Sequence, residues 1–68
     1  MNSRIILYAL KSGDSYLKVE GDEFRPVDMA KASVYPNAAS LMPMLGKAPA
    51  SQEVYAVELT ITERRIEL

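Results

Sequence analysis

Sixty-eight residues make one small domain, since a second core of ordinary size needs a chain about twice as long. Hydrophobic residues are 49% of the chain and charged residues 25%, which excludes the composition of a disordered protein, and a formal net charge of -1 excludes an overall cationic field for nucleic acid. With neither Cys nor His, the chain has no disulfides, thiolate nucleophile, imidazole relay or usual zinc ligand set.

Arg4 to Lys11 is an apolar run closed by the turn residues Ser12-Gly13-Asp14, and it reads as a strand. Ile6, Tyr8 and Leu10 fall on one face and Ile5, Leu7 and Ala9 on the other, so both faces call for cover. The run is far too short to span a membrane and lacks a following small-residue cleavage site, which makes a soluble cytoplasmic protein the expectation. Tyr16 to Glu20 then alternates with period two, Leu17 and Val19 against Lys18 and Glu20, as a half-exposed strand joined to the first by a hairpin.

Gly13-Asp14-x-Tyr16 is echoed by Gly21-Asp22-x-Phe24, each with Val three residues further on. Asp14, Glu20, Asp22 and Glu23 offer oxygen ligands of the kind hard cations take. Their spacing fails the calcium-loop pattern, however, and Gly with carboxylates is ordinary turn chemistry, so two turns that each launch a strand are expected. Pro26 limits Phe24 to Val27 to a short edge strand. Asp28 to Lys31 reads as a turn or single helical turn, and Ala32 to Tyr35 as a short strand stopped by Pro36-Asn37.

Asn37 is a good N-cap for a helix beginning at Ala38, with Gly46 placed as its C-terminal cap. Proline inside a helix costs roughly 3 kcal/mol, so Pro43 predicts that the helix ends near Leu41 or tightens into a 3₁₀ turn carrying Met42, Met44 and Leu45. Lys47 to Gln52 is an exposed loop. Glu53 to Thr62 is the best strand, and its apolar row Tyr55, Val57, Leu59, Ile61 is expected to form the central core. The apolar phase slips before Ile66 and Leu68, which predicts a bulge or turn near Glu63-Arg64. The sum is a single α+β domain over residues 1–68, a three- or four-stranded antiparallel sheet with one short helix packed on one face.

Two surfaces stand out as candidate sites. Leu41, Met42, Met44 and Leu45 cannot all face one core if Pro43 breaks the helix, and exposed apolar groups with adaptable Met are typical of a protein-binding surface. Arg64-Arg65, with Arg4, Lys11 and Lys18, is the densest basic feature and the alternative, a nucleic-acid site, although Glu58, Glu63 and Glu67 interrupt it. Tyr8, Tyr16, Tyr35 and Tyr55 sit in apolar alternations that predict core or interface instead of base stacking. A carboxylate pair such as Glu20 and Asp22 needs a pocket to part its pKa values, and so small a domain has little room for one. No catalytic residue, metal site or cofactor is therefore assigned.

The order of strand, Gly-Asp turn, Tyr-Leu strand, mid-chain strand, Ala-rich helix and long terminal strand resembles the small, mostly uncharacterised accessory proteins of bacteriophages and prophages. Ile5 to Tyr8, Gly13-Asp14, Tyr16-Leu17, Ala32-Ser33-Val34-Tyr35, Ala38-Ala39 and Val54 to Thr62 carry the resemblance. It implies a small binding protein, such as an inhibitor of a host enzyme or of host defence in the manner of anti-CRISPR proteins, and it transfers no site residue. The expectation is thus a non-enzymatic interaction module acting on a host or phage protein. A homodimer is expected too, since one helix covers only one face of the first strand.

Overall fold

The computed structural model describes residues 3–67. Among the described residues five strands lie in a single sheet: β1 (Ser3–Ser12), β2 (Ser15–Glu20), β3 (Glu23–Val27), β4 (Val34–Tyr35) and β5 (Tyr55–Glu63). One α-helix, α1 (Ala38–Lys47), packs on β1 and β4, and single 3₁₀ turns occupy Met29–Lys31 and Ala50–Gln52. All pairings are antiparallel, and β1 is the hub, bonded to β2, β4 and β5. The α+β class is the one the sequence implied; the sheet is larger than three or four strands because β4, only two residues long, also finds a place on it.

Each local element follows from its residues. Both Gly-Asp pairs are two-residue hairpin loops, and Gly13 and Gly21 take φ of +60° and +59°. Positive φ at the first loop position with none at Asp14 or Asp22 is the type II′ arrangement, whose twist matches that of the strands. β3 is an edge strand, which accommodates Pro26, and the Gln52 side-chain amide donates to the Phe24 carbonyl at 3.0 Å beside it. Ser33 stitches β4 to β2: its amide donates to the Leu17 carbonyl at 3.1 Å and its hydroxyl accepts from the Val19 amide at 2.8 Å.

Asn37 caps α1 as expected, its side-chain oxygen accepting from the Ser40 amide at 2.8 Å. Pro43, however, does not end the helix, which runs through it and through Gly46 to Lys47, with Ala48 as the C-cap. The bond Pro43 forgoes would have gone to the Ala39 carbonyl, and both residues are exposed, so water can satisfy that oxygen. Packing of Leu41, Met44 and Leu45 against the sheet holds the helix across the break.

The core lies between α1 and one face of the sheet. Leu10, Leu17, Phe24 and Leu41 are buried in it, and Tyr8, Val19, Tyr35, Met44, Leu45, Ala48 and Val54 pack around them. Burying Leu10 and Leu17 contributes about 1.5–3 kcal/mol each. Of β1, the core takes Tyr8 and Leu10, whereas Ile6 on the same face is 43% exposed and Ala9 on the other face is fully buried.

The β1–β5 register then corrects the reading of the last strand. Ile5 faces Ile61, Leu7 faces Leu59, Ala9 faces Val57 and Lys11 faces Tyr55. Residues paired in this way share a face, so the row Tyr55, Val57, Leu59, Ile61 stands on the side of the sheet away from α1, outside the central core. Nor does a bulge re-aim the chain end: β5 stops at Glu63, Ile66 is exposed, and Leu68 lies outside the described residues.

Candidate functional site

The sheet is paired unevenly along its hub strand. On one edge β1 bonds β5 over its length from Ser3 to Lys11; on the other edge β4 reaches only Tyr8 and Ala9, and β2 only Lys11 and Ser12. Residues 3–7 of β1 and 59–63 of β5 consequently leave the body as a two-stranded arm. The molecule measures 47 × 23 × 19 Å, and its radius of gyration of 13.8 Å exceeds the roughly 11 Å of a compact chain of this length.

The face of this arm opposite α1 is apolar and bare. Ile5 is 56% exposed and Ile61 47%, beside the half-buried Leu7, Val57 and Leu59, and Val34, paired to Ala9, extends the patch at 48%. Lys11 and Tyr55 close it toward the body. The Lys11 ammonium lies 4.7 Å from the Tyr16 ring centroid, and the Tyr55 hydroxyl donates to the Gly13 carbonyl at 2.6 Å. The expectation that Tyr55, Val57, Leu59 and Ile61 form the central core is overturned: Tyr55 and Ile61 are exposed, and Val57 and Leu59 half-buried, on the face away from α1. The clue was present in β1, whose two apolar faces cannot both be served by one helix.

The segment singled out from sequence is divided by the helix. Leu41 is buried in the core, Met44 and Leu45 are half-buried against it, and only Met42, at 58% exposure, stands on the surface. Since the helix continues past Pro43, Leu41, Met44 and Leu45 fall on one side at i, i+3, i+4 spacing and Met42 falls outside that stripe.

The basic residues are not gathered either. Arg4 and Arg64 lie at the tip of the arm, whereas Lys11 and Lys18 lie at the body end, about 23 Å away along a strand from Arg4 to Lys11. Arg65 pairs with Glu67 at 3.3 Å, and Lys18 with Glu20 at 3.7 Å. Among the acidic turn residues, Glu20 also binds Arg25 and Asp22 meets Lys47 at 3.9 Å. No cluster of three potential metal ligands and no pocket occur among the described residues. Burial raises the Tyr35 phenol above its ordinary pKa, opposed by a hydrogen bond from the Ser33 side chain, as befits a tyrosine at the margin of the core. No helix is long and apolar enough to cross a membrane among the described residues.

Compared with known proteins, the chain matches no family model, no curated protein and no solved structure.

Proposed function

We propose that this chain is a non-enzymatic protein-interaction module that self-associates and acts on a host or phage protein, as an inhibitor or modulator of the kind the phage-accessory resemblance implies. The observation that carries the reading is the bare apolar face of β1 and β5. Ile5 and Ile61 are large hydrophobic residues paired with each other on an arm that adds nothing to the core, and Val34 on β4 extends the same face toward the body. Contiguous exposed apolar surface with charged neighbours is the mark of a contact surface in a folded domain. Met42 adds a second, smaller apolar point on the opposite side of the sheet, where its flexible thioether suits an adaptable contact.

The alternative, nucleic-acid binding through Arg64 and Arg65, draws on the exposure of both at the tip of the arm. The pairing of Arg65 with Glu67 weakens it, since phosphate affinity scales with the number of uncompensated cations.

Affinity capture with the whole chain from bacterial lysate, read by mass spectrometry, tests the proposal. One protein should be enriched by the parent and lost with Met42→Glu. If instead nucleic acid is retained, falls away steeply with salt and is lost when Arg64 and Arg65 are both changed to Ala, the alternative takes its place.

A further inference from the structure

We propose that the bare face of the β1–β5 arm is a homodimer interface, in which two copies lay their arms face to face and antiparallel about a two-fold axis at the Leu7–Leu59 pair. This rests on the reading of the chain as a self-associating interaction module and supplies its geometry.

Three observations choose a second copy as the occupant. The first is area. The chain exposes 5221 Å², whereas a compact monomer of its 7.5 kDa exposes about 4250 Å². The excess, roughly 1000 Å², is comparable with the ~800 Å² each partner gives up in a standard specific interface. The second is local stability. Beyond Tyr8 the arm is two strands without a covering layer, an arrangement marginal in water alone and made stable when its apolar face is packed.

The third is the symmetry of the row itself. The register runs from Ser3–Glu63 at the tip to Lys11–Tyr55 at the body, and Leu7–Leu59 is its midpoint. Glu63 thus marks one end of the apolar face and Lys11 the other, each about 13 Å from the centre. A two-fold axis lying in the interface at Leu7–Leu59, across the strands, reverses one arm on the other. Lys11 of each copy then falls on the Ser3–Glu63 pair of its mate, and the apolar residues between meet as the inner layers of a sandwich about 10 Å apart. Neither Lys11 nor Glu63 is in an ion pair among the described residues. The isologous contact is therefore complementary in charge at both ends and apolar at the centre. The opposite orientation, with both tips together, sets Glu63 beside Glu63 and loses that match.

The test is sedimentation of the full chain from about 1 µM to about 1 mM, with circular dichroism on every variant. The parent should dimerise, and Ile61→Lys, at an exposed position that leaves the core untouched, should stay folded and weaken the dimer at least about tenfold. Lys11→Glu should weaken it as well, and the double change Lys11→Glu with Glu63→Lys should restore it. A parent that stays monomeric throughout, or a dimer indifferent to Ile61→Lys, overturns the interface. A double variant no better than Lys11→Glu alone overturns the antiparallel arrangement. Partner capture separates this from the functional reading: a monomer that still captures its target overturns the dimer alone, and a dimer that captures nothing overturns the action on another protein alone.

Discussion

Leu7 and Leu59 stand directly opposite each other on β1 and β5, on the face of the sheet that α1 leaves bare. Two of the largest aliphatic side chains of the domain are thereby paired with each other and with no second layer. The consequence for stability is a contrast between two leucines of the same hub pairing.

Leu10→Ala should cost about 2–5 kcal/mol, because Leu10 is fully buried against Leu17, Phe24 and Leu41 and its removal leaves a cavity. Leu59→Ala should cost less than half as much in dilute protein, since water already reaches Leu59. Urea unfolding of both variants near 1 µM decides the matter, where about 1 µM is low enough to limit association. Equal losses there would return Leu59 to the core.

Pro43→Ala should raise stability by about 1–2 kcal/mol. The substitution restores the hydrogen bond to the Ala39 carbonyl and relieves the ring's clash with the preceding turn, against a smaller loss from freeing the unfolded chain. Pro43 is exposed, so little packing is lost with the ring. A lower melting temperature in Pro43→Ala would show that the ring braces the helix.

Gly13→Ala should destabilise by about 1–2 kcal/mol although its new Cβ would meet nothing within 4 Å. The cost lies in the backbone: φ of +60° is strained for an L-residue and natural for its mirror image. Chemical synthesis with D-alanine at position 13 should therefore reverse the sign and match or exceed the parent. If the L and D variants melt together, the loop does not keep its type II′ form.

Met42→Glu should leave the fold intact, whereas Met44→Glu should cost about 2 kcal/mol or more by pressing a carboxylate toward Leu41. Thermal melts followed by circular dichroism separate the two. A pair of variants with equal melting temperatures would mean that Met44 turns outward at little cost.

Much of the architecture is readable from local chemistry. The two Gly-Asp loops, the edge position of Pro26 and the Asn37 cap each depend on a few neighbouring residues whose backbone preferences hold in almost any surroundings. The period-two rows of β1 and β5 are equally plain in the sequence, and so is the need of β1 for cover on both faces.

Which row meets the helix is a different kind of question. Alternation places Tyr55, Val57, Leu59 and Ile61 on one side of β5 but does not say which side, because either face of an isolated strand is as apolar as its residues. The pairing of β5 with β1 over nine residues settles it: the odd rows of both strands share a face, and α1 covers the even one through Leu10 and Leu41. The helix runs through Pro43 for a similar reason, since a local penalty of about 3 kcal/mol counts only until tertiary packing on both sides of the proline outweighs it. Local rules set the elements and their turns; long-range pairing decided which apolar face became core and which was left exposed on the arm.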